Sequence, residues 1–307
     1  MSKKKKGMGT TVALIIVLLV GLSVMLYPVI SDWWNSRTQS RAIAVYQETV
    51  ANLDDADCEK ILAKAHEYNE SLKKLREPFI FYDDIKDYYE ILDITGTGIM
   101  GYVDIPQINV ELPVYHGTSE GVLNIAVGHL QGSSLPVGGE GTHAVVSAHR
   151  GLPSAKLFSD LDELVVGDTF TITVLKEVYT YEVDKISIVE PSDMNDLLAV
   201  PGKDYITLMT CTPYGINSHR LLVRGHRIAN AAEASQAKVT ADALQLDPIS
   251  VVPAVAAPLL LILIIYWVVS GRRNKKQKKA QASAMKLIGK SVVRSRRKGD
   301  RDDNNLV

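Results

Sequence analysis

The chain has 307 residues, room for one sizeable domain with appendages or for two small domains. Its formal net charge of −1 excludes the overall basic surplus of a nucleic-acid-binding chain. The charge is unevenly placed, with a basic block at Lys3 to Lys6 and another at Arg272, Arg273, Lys275, Lys276, Lys278 and Lys279, backed by Arg294, Arg296, Arg297 and Lys298.

Each basic block abuts an uncharged apolar run. The first, "TTVALIIVLLVGLSVMLYPVI", covers 10–30, and the second, "ISVVPAVAAPLLLILIIYWVVS", covers 249–270. Both are long enough for a bilayer core of about 30 Å at roughly 1.5 Å per helical residue. Trp33, Trp34, Tyr266 and Trp267 sit near their ends, where interfacial aromatics belong. A cleaved signal peptide is the alternative for the first run, but "SDWW" follows it rather than a small-x-small cleavage pattern. The basic flanks hold both termini in the cytoplasm, as a basic N-terminus at 1–9 and a basic tail at 271–307. Residues 31–248 then form an ectodomain between two transmembrane helices, and the lipid bilayer is a partner.

The ectodomain begins with a helical region, 31–75. Helices are expected over 37–53 and 57–75, the second with an apolar face of Ile61, Ala65, Tyr68, Leu72 and Leu75. Asp54, Asp55 and Asp57 are available to cap it. Cys58 falls in its first turn and reads as a partly buried thiol. Pro78 in "REPFIFYDD" disfavours helix at Glu77, so the chain leaves the helix there. A loop with a short helix over "DIKDYYEIL" fills out 76–92, and "TGTG" then turns the chain.

From Met100 the pattern changes to short alternating runs rich in β-branched residues. They are "MGYVDI", "INVELPVY", "HAVVSAHR", "TFTITVL", "VYTYEVDKISIV", "YITLMTC" and "HRLLVRGHRI", separated by turn-forming stretches such as "GSSLPVGGEG" and "PYGINS". Seven strands in roughly 130 residues, with short helices at 118–125, 152–164 and 193–199, predict a mostly β domain closed or nearly closed into a barrel. An Ala-rich polar linker follows at 230–248.

The chemistry concentrates at "YITLMTCTPYGINSHRLLVRG", where a strand ends on Cys211 and the next opens on Arg220. A thiol attacks carbonyls as thiolate and so needs an electropositive site. Arginine keeps its proton and is a dependable donor to a developing oxyanion. Acyl transfer also needs an acid for the leaving amine, most often histidine. Of seven histidines, His149 ends an apolar strand, but spacing alone leaves His129, His143 and His219 as rivals. Cys58 and Cys211 are also able to pair in an oxidising exterior, although their spacing does not demand it. No CxxC, HExxH, acidic cation loop or phosphate-binding glycine loop is present, so no metal or cofactor is expected. The basic runs are explained by topology rather than by nucleic acid.

The segment "TLMTCTPYGINSHRLLVRG" resembles the TLxTC segment and downstream arginine of the sortases, membrane-anchored cysteine transpeptidases of Gram-positive cell surfaces. "VVSAHRG" resembles their catalytic-histidine segment, and "MGYVDIPQINVELPVYHGTSE" and "VGHLQGSSLPVGGEGTHAVVSAHRG" are similar to their first strands and the approach to that histidine. The resemblance covers about 37–228. It implies a closed eight-stranded barrel over 93–229, with Cys211 as nucleophile, His149 as general acid and Arg220 as oxyanion donor. It also implies cleavage of LPxTG-like sorting signals between Thr and Gly, a thioacyl enzyme, and transfer to an amine. The second apolar run and "REPF" resemble the class C, pilus-building branch, whose lid carries an Asp-Pro-aromatic motif. Glu77, Pro78 and Phe79 occupy those positions, with glutamate one methylene longer than the usual aspartate. The acceptor implied is a pilin lysine amine. A sortase using a peptidoglycan-precursor amine is the nearer alternative, and a non-catalytic tethered module with a structural Cys211 the more distant one.

Overall fold

The computed structural model describes residues 6–230, so the second apolar run at 249–270 and the basic tail lie outside the described residues. Eight strands close into one barrel: β1 (Ile99–Ile105), β2 (Val110–His116), β3 (Val127–His129), β4 (Thr142–Ser147), β5 (Thr169–Val174), β6 (Glu177–Val189), β7 (Asp204–Thr212) and β8 (His219–Arg227). Around the barrel they run β1-β2-β3-β4-β7-β8-β6-β5. Six of the pairings are antiparallel; β2 with β3 and β4 with β7 are parallel. Seven of these strands match the alternating runs in the sequence. The eighth, β3, is three residues long, too short to show a period.

Alternation divides the strands into two faces. Val103, Ile105, Ile172, Val146, Leu208, Leu221 and Val223 are buried in the main core. The intervening residues of β4, β7 and β8 face outward, where a smaller cluster of Val145, Leu197 and Leu222 forms.

The N-terminal helix differs from expectation. In place of a membrane run followed by a separate helix, α1 is one helix of 46 residues, Lys6–Ala51, with Pro28 inside it. Its apolar part is long and hydrophobic enough to cross a bilayer, and none of that part is buried against the protein. Its other end docks on β1 and β2 through Ile43, Tyr46 and Val50. The buried Tyr46 hydroxyl donates to the Met100 carbonyl (3.1 Å) and accepts from the Leu175 amide (2.8 Å).

The second helix, α2 (Asp55–Leu72), is capped as its aspartates suggest: the Asp54 carboxylate accepts from the Asp57 amide at 2.7 Å. A short α3 (Pro78–Phe81) follows, with Pro78 in its first turn, and a 3-10 turn covers Tyr82–Asp84. The helix expected over "DIKDYYEIL" is absent; Asp87 and Leu92 take positive φ and the segment is a series of turns. Tyr88 drives this, because its buried hydroxyl reaches His129 Nδ1 (2.9 Å) and the Gly117 amide (3.0 Å). Of the remaining short helices, α4 (Glu120–Leu123) forms, whereas 152–164 and 193–199 contain only the 3-10 turns Leu161–Glu163 and Asn195–Leu197.

Candidate active site

Strands β7 and β8 are antiparallel, and Cys211 and Arg220 are direct partners across them. Partners of this kind carry their side chains on the same face with Cβ atoms about 5 Å apart. That face is the outer one, because Thr210 and Leu221, their neighbours, are buried. Cys211 and Arg220 are both half-buried. The Arg220 guanidinium donates to the carbonyls of His219 (3.1 Å) and Asn217 (3.4 Å). Among the described residues no carboxylate pairs with it, so its charge stays available to a thiolate or oxyanion beside it.

His149 reaches the same place through the parallel pairing of β4 with β7. Its register runs from Thr142↔Asp204 to Ser147↔Met209, and two residues further on His149 stands level with Cys211. The backbone continues beside β7 over that interval. The Ala148 amide donates to the Met209 carbonyl (3.1 Å), and Thr210 Oγ1 donates to the Ala148 carbonyl (2.8 Å). Ser147 and Met209 are both on the outer face, and the same alternation carried two residues past the end of β4 would bring His149 to the face of Cys211.

The loop after His149 is pinned from several sides. The His149 carbonyl accepts from the Phe158 amide (3.2 Å), and the Gly151 amide donates to Ser159 Oγ (3.1 Å). Arg150 pairs with Asp162 and lies 5.9 Å from the centroid of the Tyr214 ring. Gly151 has φ +76°, and a Cβ there would lie 2.8 Å from the Tyr214 ring, so glycine is required by both conformation and space. Tyr214 belongs to the loop leaving Cys211, and this contact therefore ties the cysteine loop to the histidine loop. Neither Tyr214 nor the Arg150–Asp162 pair carries a signal in the sequence, because both arise from contacts between distant segments.

The rival histidines are engaged elsewhere. His129 is fully buried: its Nε2 donates to the Ser134 carbonyl (2.8 Å) and its Nδ1 accepts from Tyr88. His143 is also buried, with Nδ1 donating to the Leu198 carbonyl (3.1 Å) and Nε2 accepting from Thr207 (2.7 Å). Burial pushes both down to about 4, so they are neutral structural groups. His219 pairs with Thr212, on the strand face opposite to Arg220, and its Nε2 lies 3.2 Å from Glu190. Cys58 is buried in the core, and both cysteines are free thiols.

The Glu77–Pro78–Phe79 segment lies against the same outer face. Phe79 packs with Leu130, Val189 and Met209 on the cluster of Val145, Leu197 and Leu222. Met209 and Leu222 lie two residues from Cys211 and Arg220 along their strands, so Phe79 covers the sheet next to that pair. Gly132, at φ +93°, makes the contact possible: a Cβ there would lie 2.9 Å from the Pro78 carbonyl and 3.1 Å from Phe79 Cα. Glu77 is exposed, and among the described residues it forms no ion pair with Arg220.

A closed eight-stranded barrel of this topology is a sortase fold, and the sortase-domain family matches residues 103–228. The structure is similar to sortase C1 from Streptococcus agalactiae, with a TM-score of 0.58 and 55% identity over 62% of this chain and 99% of that one. It is also similar to sortase C of Streptococcus pneumoniae, with a TM-score of 0.56 and 48% identity over 62% of this chain and 97% of that one. Among curated relatives, sortase A of Streptococcus agalactiae serotype III (strain NEM316) is 32% identical over 117 residues, 37% of this chain and 47% of that protein. Sortase D of Bacillus subtilis (strain 168) is 32% identical over 131 residues, 42% of this chain and 63% of that protein. The chain thus spans about half to three-fifths of the curated relatives it matches. The chain belongs to the sortase family. Its likeness to the sortase C structures places it in class C, and the family are cysteine transpeptidases.

Proposed function

We propose that this chain is a pilus-assembling transpeptidase. It cleaves LPxTG-like sorting signals between Thr and Gly and joins the freed acyl group to a lysine amine of another pilin subunit. The observation that carries the chemistry is the direct pairing of Cys211 with Arg220, with His149 level with both on one face. The Cys211 thiolate attacks the threonine carbonyl, and Arg220 donates to the oxyanion that develops. His149 protonates the departing glycine amine, which leaves a thioester on Cys211. The incoming lysine amine then attacks that thioester, His149 takes its proton, and the thiolate is released. The peptide bond broken is replaced by an amide bond, so the exchange needs no redox partner or metal. Support for a pilin acceptor comes from similarity to structures described as pilus-related, including the sortase C of Group B Streptococcus at 41% identity.

Two further parts belong to this reading. The apolar part of α1 and the apolar run at 249–270 both span the cell membrane, the barrel stands outside, and the basic termini at 1–9 and 271–307 remain in the cytoplasm. Residues 76–84 act as a lid: Phe79 rests on the patch beside Cys211 in the resting state and withdraws for substrate.

The test is acyl-enzyme formation with an LPxTG peptide, followed by transfer to a pilin lysine peptide or to a peptidoglycan-precursor amine. Cys211→Ala is expected to form no acyl-enzyme. His149→Ala and Arg220→Ala are each expected to lose about 10²–10³ in turnover. Near-normal turnover in Cys211→Ala refutes the assignment, and transfer only to the peptidoglycan-type amine refutes the pilin acceptor.

A further inference from the structure

The end of the barrel that bears the site is also the end next to the apolar part of α1. The apolar run ends at Ile30. Two residues later Asp32 accepts a hydrogen bond from the Lys156 amide (2.7 Å), and Asn35 donates to the Ser154 carbonyl (2.7 Å). These contacts lie about 3 Å and 8 Å along the helix axis from Ile30. A bilayer's polar layer is about 5–8 Å thick on each side of its hydrocarbon core. A spanning α1 therefore holds the 154–156 loop at headgroup level. Trp33 and Trp34, at that same level, are 57% and 66% exposed, as interfacial aromatics are.

The 154–156 loop belongs to the segment pinned behind His149, and Lys156 Nζ also donates to the Ile108 carbonyl (2.9 Å) at the start of β2. Strands β4 and β7 run in parallel toward this end, so His149 and Cys211 both emerge there. Tyr214, Ile216 and Ile188 emerge with them and are 63%, 72% and 63% exposed. The opposite end of the barrel is charged, where Lys176 pairs with Asp55 beside Glu177, Asp54 and Asp57. Tyr214, Ile216 and Ile188 are thus exposed at the end that α1 brings to the bilayer.

We propose that this end of the barrel rests on the outer leaflet. Tyr214 and Ile216 meet the lipid, and the Asp32 and Asn35 hydrogen bonds fix the tilt, so that Cys211 opens onto the membrane surface. The inference rests on the reading that α1 spans the membrane.

The test is nitroxide depth measurement on the full chain in phosphatidylcholine–phosphatidylglycerol nanodiscs, with both native cysteines replaced (Cys58→Ala, Cys211→Ala). Single labels go on Leu19→Cys, Ile216→Cys and Glu177→Cys. Relaxation by oxygen relative to a water-soluble nickel chelate is expected to be severalfold higher at 216 than at 177, and highest at 19. Adding Asp32→Ala with Asn35→Ala is expected to lower the value at 216 while leaving 19 unchanged. If 19 reports lipid but 216 matches 177, the resting surface is refuted while the spanning helix stands. If 19 reports water, the spanning reading falls and the inference with it. If the double alanine variant leaves 216 unchanged, the Asp32–Asn35 contacts do not set the tilt.

Discussion

Replacing Phe79 by alanine should open the lid without unfolding the barrel. Phe79 is half-buried and rests on Val145, Leu197 and Leu222 alongside Met209. Full burial of a phenylalanine side chain is worth about 1.5–3 kcal/mol, so half-burial gives about 0.8–1.5 kcal/mol to the closed state. That difference corresponds to about a 4- to 12-fold shift in the closed-to-open ratio. Glu77 is exposed and makes no contact with Arg220, so Glu77→Ala should change the ratio less than twofold, on the scale of an exposed charge. The assay is the rate at which a neutral maleimide labels Cys211 in a Cys58→Ala background, with near-ultraviolet circular dichroism to confirm the fold. Gly132→Ala approaches the same equilibrium from the other side. Its Cβ would sit 2.9 Å from the Pro78 carbonyl, and its φ of +93° is unfavourable for alanine, so it too should speed labelling. A folded Phe79→Ala protein that labels at the wild-type rate would show that residues 76–84 do not control access to the thiol. A Glu77→Ala protein that labels as fast as Phe79→Ala would show that an electrostatic latch exists after all.

Three other outcomes are expected. His129 and His143 sit near 4 in the folded protein against about 6.5 unfolded, so between those values the unfolded chain binds more protons and stability falls with pH. Each contributes about 2 kcal/mol of loss between pH 7 and pH 5, readable in urea unfolding, and a pH-independent midpoint would refute their neutral burial. Tyr46→Phe leaves the buried Leu175 amide without its acceptor and should lower unfolding free energy by about 1–3 kcal/mol, with no change in the acylation rate of the folded fraction. Gly151→Ala should displace Tyr214 and shift the His149 loop, lowering turnover of the folded protein by about 10²-fold for a displacement near 1 Å, and its strained φ should also lower the melting temperature.

The strands were readable because β-branched residues alternate in them, and the Cys211–Arg220 pairing was readable because one short loop separates the two. The nearness of the His149 segment was not, since it depends on a parallel crossover that sets β4 beside β7, with Ser147 paired to Met209 62 positions further on. Elsewhere tertiary contacts overrode local pattern. The spacing of Ile85, Tyr88 and Leu92 reads as helical, yet the bonds from Tyr88 to His129 and Gly117 hold turns there. The helix expected at 152–164 gives way because Asp32 and Asn35 of α1 take up backbone groups of Ser154 and Lys156. The continuity of α1 was hidden by Pro28 and by the change from apolar to polar residues at 31–36, which is a change of composition and not of secondary structure.

The division between the two faces of β7 and β8 explains how the site can be exposed and still well placed. Leu208, Thr210, Leu221 and Val223 point into the barrel and are almost wholly buried, whereas Met209, Cys211, Arg220 and Leu222 point outward. A slip of one residue in either strand would bring buried groups to the surface and turn Cys211 or Arg220 inward, so the register of the reactive pair is set by burial on the other face. The reactive groups need no stabilising contacts of their own to hold that register. Cys211 can stay half-exposed and Arg220 can stay without a carboxylate, because the energy that positions both is supplied by the barrel interior, whereas Phe79 is held only by the outer cluster of Val145, Leu197 and Leu222.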